Sequence, residues 1–149
     1  MSEAFTVKAV PWASASEAIR KIRDCVFVQE QSVPLELEWD ECDESAIHFL
    51  LYKRQETEAI GTARLLATGQ IGRIAVLSPY RRLGGGQVLL KAAISESIKR
   101  DYPRVFMHAQ EYLVPWYARE GFVCEGGIFE EAGIPHQAMY LQLDKDYSL

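Results

Sequence analysis

A chain of 149 residues, 48% hydrophobic and 25% charged, has the size and composition of one globular domain spanning 1–149, which sets disordered and fibrous classes aside. Its formal net charge of -5 argues against a nucleic-acid partner, which calls for a basic surface and a high pI. Cys25, Cys42 and Cys124 are odd in number and lack C-x-x-C spacing, so they read as free thiols in a reducing compartment, not as a disulfide framework or a zinc site.

Met1 to Val10 has neither a basic start nor a long apolar stretch, and no run approaches the roughly 20 apolar residues of a membrane span. A cytoplasmic protein without a membrane partner is expected. Phe5 to Val10 alternates as a first strand. Ser14 and Glu17 have capping-box spacing ahead of Ile19, Ile22 and Val26, predicting a helix from about Ser16 to Gln31, closed before Pro34. Glu36 to Glu44 is acidic and irregular, and its carboxylates (Glu36, Glu38, Asp40, Glu41, Asp43, Glu44) read as a solvated loop.

Ile47 to Tyr52 and Glu58 to Ala67 follow as strands joined by the polar turn Lys53 to Thr57, and Gly72 to Leu77 is a third. After Arg81–Gly86 a helix runs to about Arg100, with Leu90, Ile94 and Ile98 on an apolar stripe beside a wetter one of Lys91, Ser95 and Lys99. Arg104 to Gln110 is a strand, and Tyr112 to Glu120 a short helix stopped by Gly121. Phe122 to Glu125 and Gln137 to Leu143 are the last strands. The order β-α-β-β-β-α-β-α-β-β describes an α/β protein with a mixed sheet.

The segment Ile74-Ala75-Val76-Leu77-Ser78-Pro79-Tyr80-Arg81-Arg82-Leu83-Gly84-Gly85-Gly86-Gln87 carries the strongest chemical signal. An apolar strand ends, and three glycines lead into a helix, although each costs a helix interior about 1 kcal/mol relative to alanine. At a helix start they let backbone N–H groups approach an anion, and pyrophosphate is the natural guest. A Walker loop needs Gly-Lys-Ser/Thr where Gly86-Gln87-Val88 stands, and a dinucleotide fingerprint from Gly84 needs glycine in place of Leu89.

Arg81-x-x-Gly84-x-Gly86 after Arg73-Ile74-Ala75-Val76 resembles the coenzyme A motif of the GNAT acetyltransferase superfamily. Trp116-Tyr117-Ala118-Arg119-Glu120-Gly121-Phe122 is similar to its downstream F-Y-x-x-x-G-F element. Val26-Phe27-Val28-x-Glu30-Gln31-x-Val33-Pro34, Glu38-Trp39-Asp40, His108-Ala109-Gln110 and Glu131-Ala132-Gly133-Ile134-Pro135-His136 resemble its ElaA-like and YjcF-like members.

The resemblance implies a mixed, mostly antiparallel sheet flanked by helices, with splayed central strands. It implies acetyl-CoA as cofactor, with pantetheine along Arg73 to Leu77 against main-chain groups of Ile74, Ala75 and Val76. Pyrophosphate would lie on the N–H groups of Arg81, Arg82, Leu83, Gly84, Gly85 and Gly86. Gln110 stands where many relatives place an asparagine on the pantetheine amide. The implied activity is acetyl transfer to the primary amine of a small molecule; a non-catalytic acyl-CoA-binding module is the alternative, and a homodimer stays open.

Tyr117 holds the family position for protonating the leaving thiolate. His108, nine residues before it, is the first candidate for the base, since a histidine side chain with an ordinary pKa near 6.5 suits the task in general; glucosamine-phosphate acetyltransferases have an aspartate at the matching spacing. Glu30 is the second candidate and His136 a third. The acidic run, beside an acceptor cleft, could also attract a cationic amine. His48, His108 and His136 have no metal-ligand spacing, so no metal is expected.

Overall fold

The structure, a computed structural model, describes residues 4–33, 38 and 40–143. Pro34, Glu36 and Trp39, named above, lie outside them. The order is β1 (Phe5–Pro11), α1 (Trp12–Arg23), a π-helical turn (Asp24–Glu30), β2 (Ile47–Lys53), β3 (Ala59–Leu65) and β4 (Ile71–Val76). It continues with α2 (Gly85–Lys99), β5 (Arg104–Gln110), α3 (Val114–Arg119), β6 (Val123–Glu131) and β7 (Ile134–Gln142).

β2 reads His48-Phe49-Leu50-Leu51 without polar alternation because both of its faces are covered. Phe49 and Leu51 pack with Leu65, Leu89, Leu90, Ala93 and Ile94 under α2. Leu50 belongs to the opposite layer, with Ile19, Ile22, Val26 and Ala75 under α1. The stripe predicted for α2 ends early: Ile98 is exposed, while Leu89 and Ala93 are buried beside Leu90 and Ile94.

The ladders form two antiparallel sheets, β1-β2-β3-β4 and β5-β7-β6. The parallel element lies between them. Gln70 bridges Phe106 and Phe106 N–H donates to Gly69 O at 3.1 Å, so β4 and β5 start side by side. Beyond that bridge no ladder joins them among the described residues, which is the splay expected of the central strands.

A bulge opens β4 further. Thr62 pairs with Ala75 and Arg64 with Gly72, leaving Arg73 and Ile74 opposite Ala63, and Arg73 adopts a positive φ of 52°. Such a conformation costs a non-glycine residue about 1 kcal/mol or more.

Four local expectations change. α1 starts at Trp12, not near Ser16, and Ser14 is no cap: its hydroxyl donates back to Pro11 O at 3.3 Å from inside the first turn. From Asp24 the helix widens, and Gln31 N–H reaches Val26 O, five residues back, at 3.2 Å. The helix expected over Tyr112 to Glu120 splits into a 3-10 turn, Glu111–Leu113, and α3, because Pro115 sets the first helical turn. β6 runs on to Glu131 and β7 begins at Ile134, so the Glu131–His136 stretch is a hairpin, closed by Ala132 and Gly133 at φ 54° and 76°.

Candidate active site

The parting of β4 from β5 leaves a cleft of about 850 Å³. Ile71 to Val76 line one side and Met107 to Gln110 the other, while Phe27, Gln31, Tyr112, Tyr117 and the β6–β7 hairpin close the rim. Leu77 N–H is bonded to Ile60 O on β3 at 2.9 Å, so strand alternation turns the polar groups of Val76 away from β3. There the Val76 carbonyl accepts a hydrogen bond from Arg81 Nε at 2.7 Å. A strand edge with outward peptide groups beside a cleft is built to pair with an extended, amide-bearing ligand.

Of the expected cofactor residues, Ile74, Ala75, Val76, Arg81, Arg82 and Gln110 border this cleft. Leu83, Gly84, Gly85 and Gly86 continue directly from Arg82 without bordering it. The three glycines differ in what requires them. Gly84 caps α2 at φ 94°, a left-handed conformation, and a Cβ there would meet nothing within 4 Å. Gly85 is buried, and a Cβ would stand 2.7 Å from Leu51 Cδ2. Gly86 has room, its nearest neighbour being a Trp116 ring carbon at 4.0 Å. Packing explains Gly85 and backbone conformation explains Gly84, whereas nothing in the protein's own packing demands glycine at Gly86.

Tyr117 is buried in the cleft wall, edge-on to Trp116 (ring centroids 4.9 Å apart) and Phe122 (6.0 Å). Burial, with a smaller contribution from Tyr112, pushes its hydroxyl well above the usual phenol range, so it stays an O–H donor at neutral pH. His108 also lines the cleft, its Nδ1 at 2.9 Å from Glu131 Oε1. His136 lines it too, with Nδ1 bonded to the Ile134 carbonyl at 2.7 Å. Glu30 does not border the cleft; it holds Arg81 in a bidentate pair at 2.7 and 2.8 Å. Gln110 directs its side-chain amide across the gap to Gln31 Oε1 at 2.8 Å, tying β5 to the π-helical turn.

The acidic run is solvated only in part: Asp40, Glu41 and Glu44 are exposed, whereas two of its carboxylates turn inward. Glu38 and Asp43 are buried against Arg23, itself fully buried. Arg23 Nε lies 2.6 Å from Glu38 Oε2, and its Nη1 lies 2.8 Å from Asp43 Oδ1. Arg64 adds bonds to Asp40 at 2.8 Å and Asp43 at 3.0 Å, and Arg73 reaches Glu38 at 3.3 Å. Three arginines neutralise three carboxylates, so among the described residues this wall of the cleft has little charge left to attract a cationic amine. Burial alone would raise the Asp43 pKa, but the hydrogen bonds and charges of Arg23 and then Arg64 outweigh it and hold it below the usual value.

Sequence reasoning missed this network and Glu131. Arg23 offered a signal: it sits four residues after Ile19 on the buried stripe of α1, where a cation needs carboxylates brought to it. Glu131 offered none, because its partner lies 23 residues away on another strand.

The domain model of the GNAT acetyltransferase family matches residues 14–143. Over 127 residues the chain is 34% identical to the uncharacterized N-acetyltransferase YjcF of Bacillus subtilis, covering 84% of this chain and 88% of that protein. It superposes on the crystal structure of Escherichia coli ElaA with a TM-score of 0.79 and 27% identity, over 93% of this chain and 99% of that one. An acyl-CoA N-acyltransferase from Pseudomonas aeruginosa gives a TM-score of 0.77 and 28% identity, over 92% and 97%.

Proposed function

Because the chain belongs to the GNAT acetyltransferase family, in its ElaA and YjcF branch, we propose that it is a one-domain enzyme that transfers the acetyl group of acetyl-CoA to the primary amine of a small molecule. The observation that carries this reading is the convergence on one cleft of the parted β4 edge, Arg81, Tyr117 and His108. The three unpaired cysteines support a reducing, cytoplasmic setting, and among the described residues no helix is long and apolar enough to cross a membrane.

Acetyl-CoA supplies an activated acyl thioester. The residues present fit it: β4 offers outward peptide groups at Val76, and α2 opens on a glycine run whose first N–H groups precede the helical bonding that starts with Val88 N–H to Gly84 O. The Val76 N–H is assigned to the oxygen that gains charge as the amine adds, an interaction commonly worth several kcal/mol.

An alkylamine with a pKa near 10 is mostly protonated at neutral pH, so His108 Nε2 is assigned the proton it must lose. The C–N bond would form as the C–S bond breaks, the sulfur leaving as a thiolate and the new amide nitrogen giving up its second proton to solvent. Tyr117 donates its O–H hydrogen bond to that sulfur, and the proton on His108 passes to solvent. Glu30 is assigned to Arg81 and not to proton transfer, since both of its oxygens are taken.

Thiol release from acetyl-CoA, followed across a panel of primary amines, tests the reading. Amine-dependent release is expected. Tight coenzyme A binding without release for any amine would make the chain an acyl-CoA-binding module, and absence of binding would remove both readings.

A further inference from the structure

The β6–β7 hairpin delivers one carboxylate to the histidine of the cleft. Ala132 and Gly133, both at positive φ, form a tight two-residue turn that sets Glu131 opposite Ile134, Glu130 opposite Pro135 and Phe129 opposite His136. In that register Glu131 Oε1 lies 2.9 Å from His108 Nδ1. Phe129 meets the His108 ring edge-on at 5.1 Å and limits its rotation.

We propose that Glu131 is a positioning residue that fixes His108 in its Nδ1–H tautomer and thereby leaves the lone pair on Nε2, facing the acceptor amine. The proposal rests on the reading of His108 as the base. An ionised carboxylate only accepts, so the nitrogen beside it must carry the hydrogen. In the neutral ring the lone pair is then on Nε2, which has no partner among the described residues.

His136 does not compete for this carboxylate. Its Nδ1–H is committed to the Ile134 carbonyl, so its neutral ring presents a bare Nε2, 4.0 Å from Glu131 Oε2, too far for a hydrogen bond. Among the described residues, the titratable groups around His108 are Glu131 from the hairpin and, behind it, His136 on β7; Phe106 on its own strand and Phe129 on β6 supply ring contacts. When His108 accepts the amine proton, Glu131 stabilises the imidazolium without taking a proton itself. Loss of such a partner from a buried triad costs about 10⁴-fold. Glu131 and His108 are 45% and 34% exposed, which reduces the expected loss to roughly tenfold.

The test reads the tautomer directly, by nitrogen-15 NMR of the histidine rings at a pH of about 8, above the ordinary imidazole range. The wild-type protein is expected to show His108 protonated at Nδ1. Glu131→Ala is expected to shift His108 toward the Nε2–H form, and Glu131→Gln, which keeps an acceptor oxygen, to restore the original form. Being exposed beside a turn, Glu131 can be replaced without unfolding the protein, which the same spectra verify.

With any amine that is turned over, Glu131→Ala should lower kcat roughly tenfold at unchanged KM for acetyl-CoA. It should have no further effect in the His108→Ala background. An Nε2–H tautomer in the wild type, an unchanged tautomer in Glu131→Ala, or an additive loss in the double variant would overturn the proposal. If the wild type acetylates no amine, the acetyltransferase reading falls, and the spectrum still decides whether Glu131 sets the ring.

Discussion

Arg81 joins Glu30 to the edge of β4: its two terminal nitrogens hold the Glu30 carboxylate at 2.8 and 2.7 Å while its Nε donates to the Val76 carbonyl at 2.7 Å. The pair links the π-helical turn to the strand on which the pantetheine is proposed to lie. Both side chains are more than a third exposed, and such a pair contributes at most about 1 kcal/mol, so it can open readily. Glu30→Gln is therefore expected to leave the melting temperature nearly unchanged and to tighten coenzyme A binding, because Arg81 releases the Val76 carbonyl. The rise of activity with pH should persist. Titration calorimetry and a pH–rate profile check both points; disappearance of the pH limb would return Glu30 to the role of base.

The three glycines separate folding from binding. Gly85→Val drives a side chain into Leu51 and should depress the melting temperature strongly. Gly84→Val forces a β-branched residue into left-handed backbone, at a cost of about 1–2 kcal/mol. Gly86→Val meets open space, so its melting temperature should stay near wild type while coenzyme A affinity falls tenfold or more, if the backbone there cradles pyrophosphate. Normal affinity in folded Gly86→Val would displace the cradle.

Tyr117→Phe removes one hydroxyl from a ring held by Trp116 and Phe122. Coenzyme A binding should survive, and turnover should drop by about 10²–10⁴-fold, the range for a group assisting bond cleavage in the transition state. Single-turnover kinetics isolate the chemical step. An unchanged rate in that step would take Tyr117 out of the mechanism.

Arg23 anchors the acidic segment to α1 through Glu38 and Asp43. Truncating one partner of a buried ion pair leaves uncompensated charge and typically costs about 3–5 kcal/mol. Arg23→Ala should destabilise the protein by that order in urea unfolding. A change below about 1 kcal/mol would mean that the network behaves like a surface pair.

His48 is fully buried with its Nε2 bonded to the Asp43 carbonyl at 2.8 Å, and burial holds its pKa below the ordinary value near 6.5. The unfolded chain then binds the extra proton first, so stability falls as pH drops below about 6.5. Asp43 also has a lowered pKa, but its contribution stays intact above its ordinary value near 3.8 and is lost only as pH falls through the lowered one. Loss of stability between about pH 6.5 and 4.5 should therefore come from His48, and His48→Gln should flatten that part of a melting-temperature profile. An equally steep profile in the variant would assign the acid sensitivity elsewhere.

Much of this protein was legible one residue after another. The period-two run of β1, the apolar run of β2 and the glycine turn after β4 were local patterns, and the order of elements followed from them. The half of the cleft proposed to hold the cofactor was equally local, because a backbone that meets phosphate needs consecutive peptide groups, and consecutive residues supply them.

The half proposed for the acceptor was decided in three dimensions. An acidic run in isolation belongs in water, and only the fold brings Arg23, Arg64 and Arg73 to Glu38, Asp40 and Asp43 from α1, β3 and β4. Glu30 and Arg81 are 51 residues apart, and His108 and Glu131 23 apart, distances over which no periodicity carries information. Side-chain chemistry told which residues were able to act. Which of them has a free lone pair, and which is already held by an arginine, depends on the pairing of the strands, because a hydrogen bond is made with whatever the sheet places within 3 Å.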